Sequence, residues 1–119
     1  MEAIRLPEPD NTIQQLRSEY EEAVRSIASR VAMLRQEDLD EESIARLAHK
    51  ERQGITLAFK ERTPEPLRSR IVERTVAEYG HSSGPSIESL RQQGKSWSEI
   101  ADGASRPGKA YKFKSRDYP

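Results

Sequence analysis

In the stretch "NTIQQLRSEYEEAVRSIASRVAMLRQ", apolar side chains recur at Ile13, Tyr20, Ile27 and Leu34, one every seven residues, and Leu16, Val24 and Val31 fill the adjoining rows. Residues so spaced share a face only on a helix, because in a strand every odd step falls on the opposite side. The pattern predicts one long amphipathic helix over residues 12–36. Asn11 or Thr12 caps it, since each places a Gln three residues on, as a capping box requires. A helix with that stripe must bury it, so the remaining chain has to supply elements that cover it.

It supplies them in short, punctuated pieces. Asp40 reads as the cap of "DEESIARLAHKERQG", with Ile44, Leu47 and Ala48 as its apolar face and Gly54 as its stop. "ITLAFKER" is either extended or one more helical turn, and the alternation Ile55, Leu57, Phe59 favours the extended form. Thr63 as cap and Pro64 at the first helical position open a third helix that Gly80 ends, facing inward with Leu67, Ile71, Val76 or Thr75, and Tyr79. "HSSGPS" is a loop. "PSIESLRQQ" is a short helix stopped by Gly94, and Ser96 with Glu99 gives "WSEIADGA" a capping box, with Trp97, Ile100 and Ala104 on one side. Without a convincing alternating strand, these segments predict an all-α fold: a compact bundle of about five helices forming one domain over 1–108, with a basic aromatic tail over 109–119. The expected core is Ile13, Leu16, Ile27, Leu34, Leu47, Leu67, Ile71, Leu90, Trp97 and Ile100.

Composition removes several classes of function. The chain has no Cys and two His, so it offers no disulfide framework and no thiolate site, and zinc would need carboxylate help. No metal and no small-molecule cofactor is expected. No run approaches the roughly 18 apolar residues of a membrane span, and "MEAIRLPEPD" lacks the basic start and apolar stretch of a signal peptide. A Gly-rich phosphate loop, H-E-x-x-H and G-x-S-x-G are likewise missing.

The net charge of zero hides a gradient. Residues 1–50 carry 7 Lys/Arg against 11 Asp/Glu, residues 51–105 carry 8 against 8, and residues 106–119 carry 5 against 1. In the tail, Lys109, Lys112 and Lys114 alternate with Tyr111 and Phe113, a layout in which cations meet phosphates while rings stack on unpaired bases. "SIESLRQQGKSWSEIADGAS" has the rhythm of a helix-turn-helix, but Pro107 and Gly108 forbid a following recognition helix. "SWSEIADGA" itself would show Ser98, Glu99, Asp102 and Gly103 to DNA, an acidic set that phosphates repel. RNA is the expected nucleic acid on the chemistry that follows, and a non-enzymatic DNA-binding or protein-interaction module of a phage or mobile element is the alternative. A His among Arg and Lys cleaves RNA without metal when the cations stabilise the phosphorane and the His moves a proton. The candidate catalytic set is His81, Lys95, Arg74, Tyr79 and Arg106. The loop 80–86 and the turn 94–96 each precede a helix N-terminus, so a phosphate held between them would meet His81 and Lys95 together.

Residues 47–108 carry a series of short motifs in fixed order: a basic helix, a Thr-Pro helix start, "R..I..R....YG", a "GP" loop, "L...GKSW..I" and "ASRPG". This series resembles the C-terminal toxin modules of bacterial polymorphic toxins of the contact-dependent and rearrangement-hotspot type. It departs from their pattern at His81, where Asp is usual after "YG", and at "KAYKF", which stands where Gly-Lys-Asp would follow "ASRPG". The resemblance implies a cytotoxic module used in competition between bacteria, delivered by secretion as part of a larger carrier. It also implies action in the target-cell cytoplasm and a cognate immunity protein as partner.

Overall fold

Six helical segments make up the computed structural model, which describes residues 9–108, Ala110 and Tyr111: α1 Pro9–Arg25, α2 Ile27–Gln36, α3 Glu41–Arg62, α4 Leu67–Tyr79, α5 Ile87–Gln92 and α6 Trp97–Ala104. No strand occurs among the described residues. The all-α architecture is as expected, and α1 with α2 corresponds to the long first helix. That helix is interrupted at Ser26, whose hydroxyl donates to the Ala23 carbonyl at 2.6 Å, a local bond that competes with the helical ladder. Ser26 N–H still reaches Glu22 O at 3.0 Å, so the stripe continues across the break.

Three boundaries differ from expectation. α1 runs from Pro9, so Asn11 and Thr12 lie inside it and neither is its cap. Gly54 does not stop its helix: α3 runs on to Arg62. Gly costs about 1 kcal/mol in a helix interior, whereas continuing lays Ile55 and Phe59, four apart, onto the core and leaves Leu57 facing out. Packing outweighs propensity here, and the apparent alternation of "ITLAFKER" is half of a helical period. Thr63 does not cap the next helix, and Pro64 does not begin it. Thr63 terminates α3 in extended geometry, and α4 begins at Leu67. A residue that precedes proline is steered away from helical angles, which holds Thr63 and Glu65 outside the helix. The Glu65 carboxylate then accepts from the Ser69 N–H at 2.8 Å and from its hydroxyl, serving as the cap. The other termini follow the sequence: Asp40 accepts from Ser43 N–H at 2.9 Å, Ser96 and Glu99 form the capping box, and Gly80 closes α4 in the left-handed region at φ 79°.

The core has two lobes. Ile27, Val31, Ile44, Ala45, Ala48, Ile100, Ala101 and Ala104 form the first, where α6 lies on α3 through Ala side chains small enough for close approach. Leu16, Tyr20, Val24, Leu67 and Tyr111 form the second, and Ile55 touches both. Of the expected core, Leu16, Ile27, Leu67 and Ile100 are buried, and Ile13, Leu34, Ile71, Leu90 and Trp97 are partly buried. Leu47 is not: it is 48% exposed, because Ala48 and Ile44 already take the inward face of that turn.

Candidate functional site: a cationic cleft between α3 and α4

α3 and α4 diverge from the turn at residues 63–66, and the opening between them is a cleft of about 440 Å³. Its floor and end are supplied by Tyr20, Leu90, Ile100, Tyr111 and the segment 104–108 that follows α6. Cavities of this size hold small ligands or part of a polymer. Arg52, Lys60, Arg68, Arg74, Lys95 and Arg106 line it against Glu78, Glu99 and Asp102. Two of those carboxylates are already engaged. Asp102 takes an ion pair from Arg35 at 2.9 Å, and Glu99 accepts from the Ser96 backbone at 3.1 Å. The lining is thus six cations to three anions, a balance that attracts phosphate.

The segment 104–108 is fixed by Arg52. Its Nη1 donates to Ala104 O at 3.0 Å and Arg106 O at 2.6 Å, its Nη2 to Pro107 O at 3.2 Å, and its Nε to the Tyr20 hydroxyl at 3.3 Å. Three carbonyls and the Tyr20 phenol together take four N–H donors, one more than a lysine ammonium has and within the five of a guanidinium. Behind it, Tyr20 meets Phe59 and Tyr111 edge-on, with ring centroids 5.5 and 5.7 Å apart. On the far side of α6, Trp97 has the Arg46 and Arg91 guanidiniums 5.0 and 4.4 Å from its ring centroid, contacts that bind α3 and α5 to α6.

Of the five candidate catalytic residues, the cleft brings together four: Arg74, Tyr79, Lys95 and Arg106. His81 is exposed and does not line it. His49 does, on α3, with Nε2 2.9 Å from the Pro85 carbonyl oxygen. It lies outside the candidate set because its partner, Pro85, is 36 residues away, and nothing near His49 in the sequence marks that contact. Burial foremost, then the charge of Glu78, pushes the Tyr79 phenol above its usual range, so it stays protonated near neutrality and does not serve as a base. The phosphate position imagined at the turn 94–96 is already filled. The Glu99 carboxylate sits on the Ser96 N–H, held below the usual carboxylate range chiefly by that hydrogen bond, and would repel a second anion.

α6 does not present a row for reading DNA. Ser98 accepts from Arg35 at 3.2 Å, Asp102 pairs with the same Arg35, Glu99 closes its own cap and Gly103 has no side chain. Lys109, Lys112, Phe113 and Lys114 of the tail lie outside the described residues. Tyr111 is within them and is corrected: it is 3% exposed, and its hydroxyl is 2.7 Å from Thr63 Oγ1. That ring belongs to the core and is closed to a nucleobase, because the chain turns back over Thr63 rather than leaving the domain at residue 108.

Burial, the largest effect, pushes the Tyr111 phenol above its ordinary 10.0. The native state therefore keeps this proton more tightly than the unfolded chain does. That contribution to stability is complete below about pH 10 and is lost as pH rises through the folded value. Tyr111→Phe should flatten the alkaline fall of the melting temperature above about pH 10, and equal slopes in both proteins would show that the phenol is not shielded.

No family model, curated protein or solved structure matches the chain. Arg68, Ile71, Arg74 and Tyr79 of "R..I..R....YG", Gly84 and Pro85 of "GP", Leu90, Lys95 and Ile100 of "L...GKSW..I", and all but Ser105 of "ASRPG" line this one cleft. No helix among the described residues is long and apolar enough to cross a membrane.

Proposed function

We propose that this chain is a cytotoxic effector module of interbacterial competition, and that it binds RNA in the cleft between α3 and α4 and cleaves it without a metal ion. The observation that carries the reading is the convergence of the motif residues of 68–108, scattered over three helices and three connecting segments, on one cation-rich cleft. Arg52 serves the fold through the 104–107 carbonyls and Arg68 pairs with Glu65, and the lining still carries twice as many cations as carboxylates. A phosphodiester with its developing negative charge offsets them, and Lys95, Arg74 and Arg106 are placed to hold it. The partner that follows is a cognate immunity protein whose acidic surface covers the same cleft. Delivery by secretion within a larger carrier and action in the target-cell cytoplasm belong to the same reading.

Expression of the domain inside a bacterium should arrest growth, with RNA fragments accumulating in the arrested cells. Lys95→Ala and Arg74→Ala should each restore growth while leaving the melting temperature within a few degrees. Unimpaired growth at confirmed expression overturns the toxin assignment. Arrest with intact RNA removes the nuclease assignment and leaves the toxin.

A further inference from the structure

His49 is the titratable ring on the cleft wall, and its surroundings determine which of its nitrogens is available. Its Nε2 lies 2.9 Å from Pro85 O. A carbonyl only accepts, so Nε2 carries the proton. In the neutral ring Nδ1 then holds the lone pair, and no described protein group takes it. A backbone carbonyl that fixes one ring nitrogen as donor leaves the other as acceptor, the arrangement a general base requires. The anchor is itself held in place: Pro85 lies between Gly84, which is buried at φ 97°, and Ser86, the cap of α5. Arg52, one turn along α3, clamps the opposite lip through the 104–107 carbonyls, so the ring and the segment carrying Arg106 are referred to the same helix.

We infer that His49 is the general base that activates the 2′-hydroxyl of RNA in this cleft, a role that rests on the nuclease reading above. The 2′-hydroxyl proton passes to Nδ1, the 2′-oxygen bonds to phosphorus, and the bond from phosphorus to the 5′-oxygen breaks. The leaving 5′-oxygen takes a proton from water, and His49 returns its own proton to the hydroxide so formed. The products are a 2′,3′-cyclic phosphate and a 5′-hydroxyl, with nothing else consumed. Lys95 and Arg74 neutralise the charge that gathers on the phosphoryl oxygens.

The test uses the full chain and a labelled single-stranded oligoribonucleotide of mixed sequence, with its 2′-deoxy counterpart to measure binding alone. His49→Gln places an amide N–H where Nε2 stands, so the bond to Pro85 is kept while the base is removed. It should lower the cleavage rate roughly 10²- to 10⁴-fold, with binding of the deoxy strand and the melting temperature unchanged. His49→Ala should regain at least tenfold on addition of free imidazole, a rescue that a purely structural role would not give. Retention of the wild-type rate within about threefold by His49→Gln overturns the inference and spares the nuclease reading. So does a loss of cleavage in His81→Ala with His49→Gln active, which puts the base in the 80–86 loop. A wild-type chain that leaves the oligoribonucleotide intact overturns both.

Discussion

Tyr111→Ala should lower the stability of the domain by about 3–5 kcal/mol, the range for removing a buried aromatic ring. The ring is 3% exposed, lies edge-on to Tyr20 and is hydrogen-bonded to Thr63, the only buried polar residue among those described. Its loss opens a cavity in the second lobe and removes one of two partners of the buried Thr63 hydroxyl, which keeps its bond to the Phe59 carbonyl. The backbone strengthens the case. Tyr111 sits at φ 65°, a left-handed conformation that costs a side-chain-bearing residue about 1–2 kcal/mol and is kept only while the ring is anchored. Each kcal/mol moves the melting temperature of a domain this size by several degrees, so thermal unfolding followed by circular dichroism should show a fall of more than about 10 °C. A shift below about 2 °C would mean that the segment after α6 is an appendage. A chain ended at Ala110 should behave as the Ala variant does, and one ended at Tyr111 should keep most of the stability.

That contrast marks where the sequence is legible. Helix starts with a side-chain cap are local chemistry, and Asp40 and the Ser96–Glu99 box can be read from a few letters. Gly54 is misleading for the opposite reason. A stop signal is a preference worth about 1 kcal/mol, and the burial that overrides it comes from Tyr20, Leu67 and Tyr111, remote in sequence. Tyr111 has the same difficulty. Set among Lys109, Lys112 and Lys114 it reads as a stacking ring, and nothing nearby announces that Thr63 and Tyr20 wait for it.

The cleft is legible in part because its cations stand in an ordered series of motifs, which identified Arg74, Lys95 and Arg106 without knowledge of α3 or α4. His81 and His49 were separable only by three-dimensional placement. One sits in a Gly/Ser loop of suggestive composition, and the other is inconspicuous within a basic helix. Arg52 is of the same kind. Its chemistry is the gathering of three carbonyls more than fifty residues away, and no periodicity carries that information.

The first lobe makes a sharper demand on the seven-residue stripe. Ile27 is wholly buried, against Val31, Ile44 and Ile100, at the first position of α2 beside the interruption at Ser26. Leu47, placed by the same periodicity argument in the core, is 48% exposed. Truncation of each to Ala removes three carbons, so burial is the main difference between them. Ile27→Ala should cost about 2–5 kcal/mol, the loss of a filled site in a core that cannot close over the void, while Leu47→Ala should stay within about 0.5 kcal/mol. Marginal stability makes the first value decisive, because domains of this size have about 5–15 kcal/mol in total. Urea unfolding at a common slope gives both numbers. Equal and small losses would place α2 outside the cooperative unit, whereas equal and large losses would put Leu47 in an interface that its exposure conceals.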